Sequence, residues 1–503
     1  MEHTDDPPTT ELTDSTAPDR TSTITAEVTD EVERLYDAET SPAEQRRAFR
    51  SGDVPVAVYG LGKMGLPIAA VFASITGNVI GADVDPAVVE RINAGDAHVT
   101  GEPGLDELVG ASVAEGSLRA TPDPSVAAAS ASLHVIIVPT LLTESGAADL
   151  SVVEAVVDAI AEGLDPGDTV FLESTVPPGT TADRIAPRLA EQSGLEGGSF
   201  GAAFCPERTS SGRALRDIRE SYPKVVGGVD AESTRVAELV YDEVTDNEVI
   251  ALRDATTAEA TKVFGGIYRD VNIALANEFA RYADAMGIDV RAAIRASNTQ
   301  QFSHILSPGP GVGGHCIPVY PHFLLEAFDV HSPVTRIARA VNDDMPAFTV
   351  ERIRSICAGE GDGSAEGSNG LDDVDALVLG VTYRPDVAEL RNSPADGVIE
   401  GLRRHGATVD ACDPLVEDLS EFAATPVSMA EATTRSYDVV VAVTPHEAFS
   451  SFDWDRLEPT VVFDCHDALD LADTSHRVYT LGRAHRLDDP SEPDVGEGRE
   501  TGR

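Results

Sequence analysis

The sequence predicts an α/β protein made of two doubly wound parallel-sheet domains joined by a helical middle domain with a long central helix. Three observations carry this. Alternating β and α signals run from Val54 to about residue 250; a proline-free helical pattern spans Asp254 to Met286; and the alternation resumes after a Gly/Ser-rich segment, 359–370.

The expected organisation follows from these shifts. Residues 1–50 form an acidic N-terminal extension, with 1–30 too rich in Thr, Asp and Pro to fold and a short amphipathic helix near Val32 to Arg47. A sheet domain follows over 51–250, with strands at Val54–Tyr59, Val79–Asp83, His134–Val138, Thr169–Glu173 and Lys224–Val229 and a helix from Met64 to Ile75. The middle domain covers 251–358, its helix being either one long element or a closely joined pair. A linker covers 359–371, and a smaller α/β domain fills 372–487, with strands at Asp375–Val381, Ala407–Ala411, Asp438–Val443 and Val461–Asp464. An acidic tail, 488–503, ends the chain.

Composition narrows the function. The formal charge of −49 over 503 residues excludes nucleic acid and anionic membrane as partners, because phosphates would be repelled. The carboxylates are spread along the chain, which reads as a solvated acidic surface suited to a high-salt, halophilic cytoplasm where screening removes most of the repulsion. No apolar run approaches the roughly 18 residues of a membrane span. Met1 to Thr10 lacks a secretion-signal profile, so a cytoplasmic location is expected. Five scattered cysteines, without CxxC or Cys/His spacing, indicate neither a disulfide framework nor a metal site. Lysine occurs only at 63, 224 and 262, beside 34 arginines among the 37 basic residues. A lysine pKa can be tuned where an arginine pKa cannot, so these three positions draw attention.

The first motif is Gly60-Leu-Gly62-Lys63-Met64-Gly65 after a strand and before a helix, with Asp83 about twenty residues on. The glycines allow a tight turn and the close approach of a pyrophosphate to a helix N-terminus, while the carboxylate can accept from an adenosine ribose. This is a Rossmann-like NAD site, and Asp83 disfavours a 2′-phosphate. A glycine turn for packing alone is the bland alternative. Thr140 and Thr175 end the next strands and can line the nicotinamide side, although such turns are usually only connections.

The second motif is Ser307-Pro-Gly-Pro-Gly-Val-Gly313-Gly314-His315-Cys316, too glycine-rich for helix or strand interior. Its amides could approach a ligand, and Cys316 is a candidate nucleophile. Buried packing is the alternative and the better reading for Cys205, Cys357, Cys412 and Cys465. His315 is read as a structural or substrate contact rather than a base. A third group pairs Glu207-Arg208 with Lys262 on the long helix, where Gly265 and Gly266, each costing about 1 kcal/mol relative to Ala, imply a close neighbour.

Together these stretches resemble the UDP-glucose, UDP-N-acetylmannosamine and GDP-mannose dehydrogenase family. The resemblance runs from about Val54 to about Asp470 on GLGKMGLP, ESTVPPGTT, PERTSSG, the Lys262 helix, PGPGVGGHCIP and TYRPDVAELRNSP. It implies NAD-dependent four-electron oxidation of the C6 hydroxyl of a UDP-hexose, through a thiohemiacetal and a thioester on Cys316, with Lys262 managing the hydroxyl proton and Glu207 directing the hydrolytic water. It implies that the C-terminal domain holds UDP, with Arg208, Gly313, Gly314, His315, Tyr383 and Arg384 near the nucleotide sugar and Arg391 near NAD, and that the long helix forms a homodimer core.

The wording RDVNIALANE and PGPGVGGHCIPV is closer to the branch acting on UDP-N-acetylhexosamines, which makes UDP-N-acetyl-D-mannosamine the favoured substrate and polysaccharide biosynthesis the expected context. UDP-glucose and UDP-N-acetylglucosamine remain alternatives. The chain departs from the family twice, with Gly266 for the usual asparagine four residues after the lysine and Tyr320 for the usual aspartate four after the cysteine. Two other readings stand beside this one: a two-electron β-hydroxyacid dehydrogenase, which would need neither Cys316 nor a third domain, and a non-catalytic NAD or UDP-sugar binding protein.

Overall fold

The computed structural model describes residues 33–358, 371–471 and 474–484. The expected disorder of 1–30, linker residues 359–370 and the acidic tail beyond 488 lie outside the described residues, whereas Leu371, assigned to the linker, is buried in the core of the second sheet.

The first sheet has eight strands: β1 Val56–Tyr59, β2 Val79–Ala82, β3 Leu118–Thr121, β4 Leu133–Ile136, β5 Thr169–Leu172, β6 Gly201–Phe204, β7 Lys224–Gly228 and β8 Val249–Ala251. Their spatial order is β8-β7-β6-β5-β4-β1-β2-β3, so the chain reverses direction across the sheet at β1, and a crevice opens at the carboxyl ends of β1 and β4. The central strands β1, β2, β4 and β5 are buried on both faces, which is why they read as continuous apolar runs.

The expected parallel sheet is corrected at one place: β6 and β7 pair antiparallel, with Phe204 opposite Gly227. The connection 205–223 stays at the carboxyl edge instead of crossing back over the sheet, so β7 must run the other way. Lys224, at the start of β7, is thereby placed just beyond the carboxyl end of β6.

The N-terminal helix is also corrected. It is α1, Pro42–Ser51, and starts later than expected because Ser41 and Glu44 form a reciprocal capping box with proline in the first turn. Residues 33–50, assigned from sequence to the N-terminal extension outside the sheet domain, pack on the first sheet: Leu35, Tyr36 and Phe49 join its core, and the Tyr36 hydroxyl donates to Asp230 at 2.8 Å.

Helix α2, Gly65–Thr76, follows β1. The middle region is organised by α3, Ala255–Met286, a single helix of 32 residues and not a joined pair. Asp254 caps its start by accepting from the Thr257 amide, and Gly287 ends it in the left-handed conformation at φ 69°. Against it pack α4, Tyr320–Leu325, and α5, Pro333–Asp343. Buried polar side chains fix that packing: Arg339 pairs with Asp270, and the Asn277 amide donates to Asn342 at 2.9 Å.

The second sheet contains β9 Asp375–Leu379, β10 Thr408–Cys412, β11 Thr425–Pro426, β12 Val439–Ala442, β13 Val461–Asp464 and β14 Arg477–Thr480. Its order, β11-β10-β9-β12-β13-β14, is parallel throughout and repeats the reversal of the first sheet. Among the described residues no helix is long and apolar enough to cross a membrane.

Candidate active site

The glycine loop after β1 separates glycines needed by the fold from one that faces open space. A Cβ on Gly60 would meet the Ile137 carbonyl oxygen at 2.6 Å, and one on Gly65 would meet the Gly60 carbonyl oxygen at 1.8 Å. Gly62 has no protein atom within 4 Å of that position. Met64 precedes α2 without any side-chain capping bond, leaving the helix N-terminus available to an anion. Asp83, just past β2, accepts from the Leu61 amide at 2.8 Å and the Asp85 amide at 3.0 Å, which fixes its carboxylate over the loop. This cradle fits a dinucleotide, with room for pyrophosphate at Gly62 and a ribose acceptor at Asp83.

Farther along the carboxyl edge, the Thr140 hydroxyl donates to the Thr175 carbonyl oxygen at 2.7 Å, tying the ends of β4 and β5 together. The Thr175 hydroxyl is 3.2 Å from the Tyr320 hydroxyl. Tyr320 donates its amide to the Cys316 carbonyl oxygen at 3.0 Å, a helical turn that stacks the two side chains on one face. Residues 175 and 316, far apart in sequence, are thus joined through one phenol.

Cys316 is partly buried beside His315, Tyr320 and Lys262. Burial pushes its thiol up. The His315 hydrogen bond and charge, the Tyr320 hydrogen bond and the Lys262 ammonium outweigh burial and hold the thiol below its ordinary range. The contact with Cys316 raises His315 in turn. Lys262 Nζ donates to the Glu207 carbonyl oxygen and lies 3.7 Å from Glu207 Oε2, while the Thr209 amide donates to the other oxygen. Cys316, Lys262 and Glu207 come from three separate segments and share one neighbourhood. Such a set supplies a thiolate, a cation and a carboxylate that can orient water.

Some expected residues are engaged otherwise than the sequence implies. The glycines before Cys316 serve domain packing: Cβ atoms would meet His466 from Gly309, Pro394 from Gly311, and Tyr383 from both Gly313 and Gly314, all within 3.0 Å. The Gly314 amide donates to the Arg391 carbonyl oxygen and the Gly309 amide to Asn277, so these two are not free for a ligand. Gly266 has a close neighbour, the Tyr320 ring, whereas Gly265 faces open space, which corrects the expectation for that position. Arg208 donates to the Pro223 carbonyl oxygen and Arg384 to that of Ser211 at 3.4 Å. Lys63, in the glycine loop, reaches the C-terminal region and pairs with Glu389 at 3.2 Å, and Arg391 lies 3.8 Å from the same carboxylate.

Two contributors were not singled out from sequence. Glu259, one turn before Lys262, is buried and accepts from the Gly179 amide at 2.5 Å, the Thr181 amide at 2.7 Å and the Thr181 hydroxyl at 2.6 Å. It anchors α3 to the loop carrying Thr175; a charge among buried positions of that helix was the available signal. Glu173 pairs with Lys224 behind Glu207, and the rarity of lysine pointed to one partner without identifying the other.

Comparison with known proteins identifies the family of the three domains. Descriptions of the UDP-glucose/GDP-mannose dehydrogenase family match the NAD binding domain over residues 54–245, the central domain over 256–344 and the UDP binding domain over 377–471. The chain is 35% identical over 419 residues to an NDP-N-acetyl-D-galactosaminuronic acid dehydrogenase of Ralstonia nicotianae, covering 81% of this chain and 95% of that protein. It is 36% identical over 405 residues to a UDP-N-acetyl-D-mannosamine dehydrogenase of Pyrococcus horikoshii, covering 80% and 92%. A solved structure of a UDP-D-ManNAc dehydrogenase from Pyrococcus horikoshii superposes with a TM-score of 0.75 at 32% identity, over 86% of this chain and 99% of that one. With the three segments in family order and the open cradle at Gly62, the chain belongs to the UDP-glucose/GDP-mannose dehydrogenase family and is an NAD-dependent nucleotide-sugar dehydrogenase.

Proposed function

We propose that the chain oxidises the C6 hydroxyl of UDP-N-acetyl-D-mannosamine to the uronic acid in two successive steps. The observation that carries this is the convergence of Cys316, Lys262 and Glu207, with the thiol held low. The similarity to a UDP-N-acetyl-D-mannosamine dehydrogenase and to an NDP-N-acetyl-D-galactosaminuronic acid dehydrogenase favours an N-acetylated sugar over UDP-glucose. NAD accepts hydride when bound.

Lys262 balances the charge that develops as the C6 hydroxyl gives its proton to water; NAD held over Gly62 and Asp83 would supply the acceptor for the hydride on the C6 carbon. The Cys316 thiolate then adds to the aldehyde carbon, and the oxygen takes up a proton to complete a thiohemiacetal. This adduct again carries a hydrogen on C6; a second NAD in the same cradle would accept it as hydride while the hydroxyl proton passes to water, leaving a thioester on Cys316. Glu207, fixed by Thr209 and Lys262, orients the water that displaces sulfur and releases the carboxylate.

In this reading residues 51–250 hold NAD, 251–358 carry the nucleophile and the dimer interface, and 372–487 hold UDP, with Arg208, Tyr383 and Arg384 facing the nucleotide sugar and Arg391 the cofactor side. The enzyme works in a salt-rich cytoplasm, which its charge of −49 supports. Exposed Phe264, Tyr268, Leu275, Tyr282 and Met286 recur on α3 at helical spacing and support a second copy of this chain as its partner.

The test is NADH formed per carboxylate, with UDP-N-acetylmannosamine, UDP-N-acetylglucosamine and UDP-glucose compared at high salt. Two NADH per product, lost in Cys316→Ser, is expected. One NADH per product, or full conversion by the serine variant, overturns the cysteine pathway.

A further inference from the structure

We infer that Gly266 and Tyr320 act as one positioning unit for the nucleophile: the missing side chain at 266 makes room for the Tyr320 ring, whose hydroxyl donates a hydrogen bond to the Cys316 sulfur. The inference deepens the proposed reaction and rests on Cys316 being its nucleophile.

The geometry is close to obligatory. A Cβ on Gly266 would lie 2.1 Å from Cδ2 of Tyr320 and 3.1 Å from Cγ and Cε2, a clash with the body of the ring and not with a flexible end. Tyr320 cannot swing away cheaply, because it packs with Val263, Val319 and Phe323 and is only 6% exposed. Its backbone is held by the bond to the Cys316 carbonyl oxygen, and its hydroxyl by Thr175 at 3.2 Å. A glycine in the interior of a helix of 32 residues is unfavourable by itself, and this contact explains it.

The phenol is a donor and not a base. Burial and the neighbouring Cys316 push Tyr320 well above its ordinary range, so it stays protonated at any working pH. In the proposed arrangement the Thr175 hydroxyl, 3.2 Å away, donates to the Tyr320 oxygen and the Tyr320 hydroxyl donates to sulfur. No proton is transferred by Tyr320; it stabilises the thiolate before attack and aims it toward the strand ends that carry Thr175. His315, Lys262, Tyr383 and Glu207 also face this region, and the first two favour the thiolate independently. Tyr320 therefore supplies part of the effect.

The test follows the rate of Cys316 alkylation by iodoacetamide against pH in the full-length protein, with the modified peptide read by mass spectrometry. This needs no turnover and so reports on the thiol even if the assigned reaction fails, whereas the NADH count of Cys316→Ser tests that reaction. Tyr320→Phe keeps the ring and should raise the alkylation midpoint by about one pH unit. Gly266→Ala should raise it similarly by displacing the ring, yet add nothing in a Tyr320→Ser background, where no ring remains to displace. An unchanged midpoint in Tyr320→Phe, or an equal effect of Gly266→Ala in both backgrounds, overturns the pairing.

Discussion

Lys224 Nζ lies 3.1 Å from Glu173 Oε1 and 4.2 Å from the centre of the Tyr241 ring, forming a buried ion pair directly behind Glu207. The antiparallel pairing of β7 creates this relationship, since it starts that strand at the carboxyl edge where β5 ends. Tyr241 also donates to Glu173, whose carboxyl is pushed up by burial against the pull of Lys224.

Lys224→Met should therefore destabilise the fold by about 3–5 kcal/mol, because it leaves a buried carboxylate without its cation. Adding Glu173→Gln should recover part of the loss. Denaturant unfolding of the single and double variants measures both; equal stability of Lys224→Met and wild type would show that the pair does not hold this edge together.

The glycine loop permits a clean separation of fold from ligand. Gly62→Ala should unfold at nearly the wild-type temperature, since its Cβ meets no protein atom within 4 Å, yet raise KM for NAD at least about tenfold, about 1.4 kcal/mol of binding. Gly65→Ala should instead lose ~3 kcal/mol of stability, because the added carbon collides with backbone. Thermal melts and NAD titrations of the two variants distinguish these effects.

Glu259 gives a pH signature. Burial pushes its carboxyl from the ordinary 4.5 up to about 7, against three hydrogen bonds that favour the charged form. A folded pKa above the unfolded one means that the native state binds the proton more tightly. The associated stability is complete below about 4.5 and is lost as pH rises through about 7. Glu259→Gln should flatten that part of the stability curve; an unchanged slope in the variant between these values would assign the dependence to other groups.

The exposed stripe on α3 predicts an oligomer. Phe264→Glu combined with Tyr268→Glu adds charge where two copies would meet, and should convert a dimer to monomers in sedimentation at high salt. A monomeric wild-type protein would overturn the oligomer, and a variant that stays dimeric would place the interface elsewhere.

Features that depend on local spacing are legible along the chain. Gly60, Gly62, Gly65 and Asp83 announced the cofactor crevice because a strand, a turn and a helix start lie within one short segment. The proline-free pattern between the Asp254 cap and Gly287 announced α3, although not that it was unbroken. Cys316, Lys262 and Glu207 were legible as residue types in unusual settings.

Tertiary structure decided what those residues touch. It reversed β7, turned the glycines before Cys316 into packing contacts for His466, Pro394 and Tyr383, and set the His315 ring beside the thiol it precedes. It also brought Gly266 and Tyr320 together, two residues that look like separate losses when read along the chain. Hydrophobic and hydrogen-bonding periodicities encode which face of an element is buried, but steric fit between distant elements arises only once both have been packed.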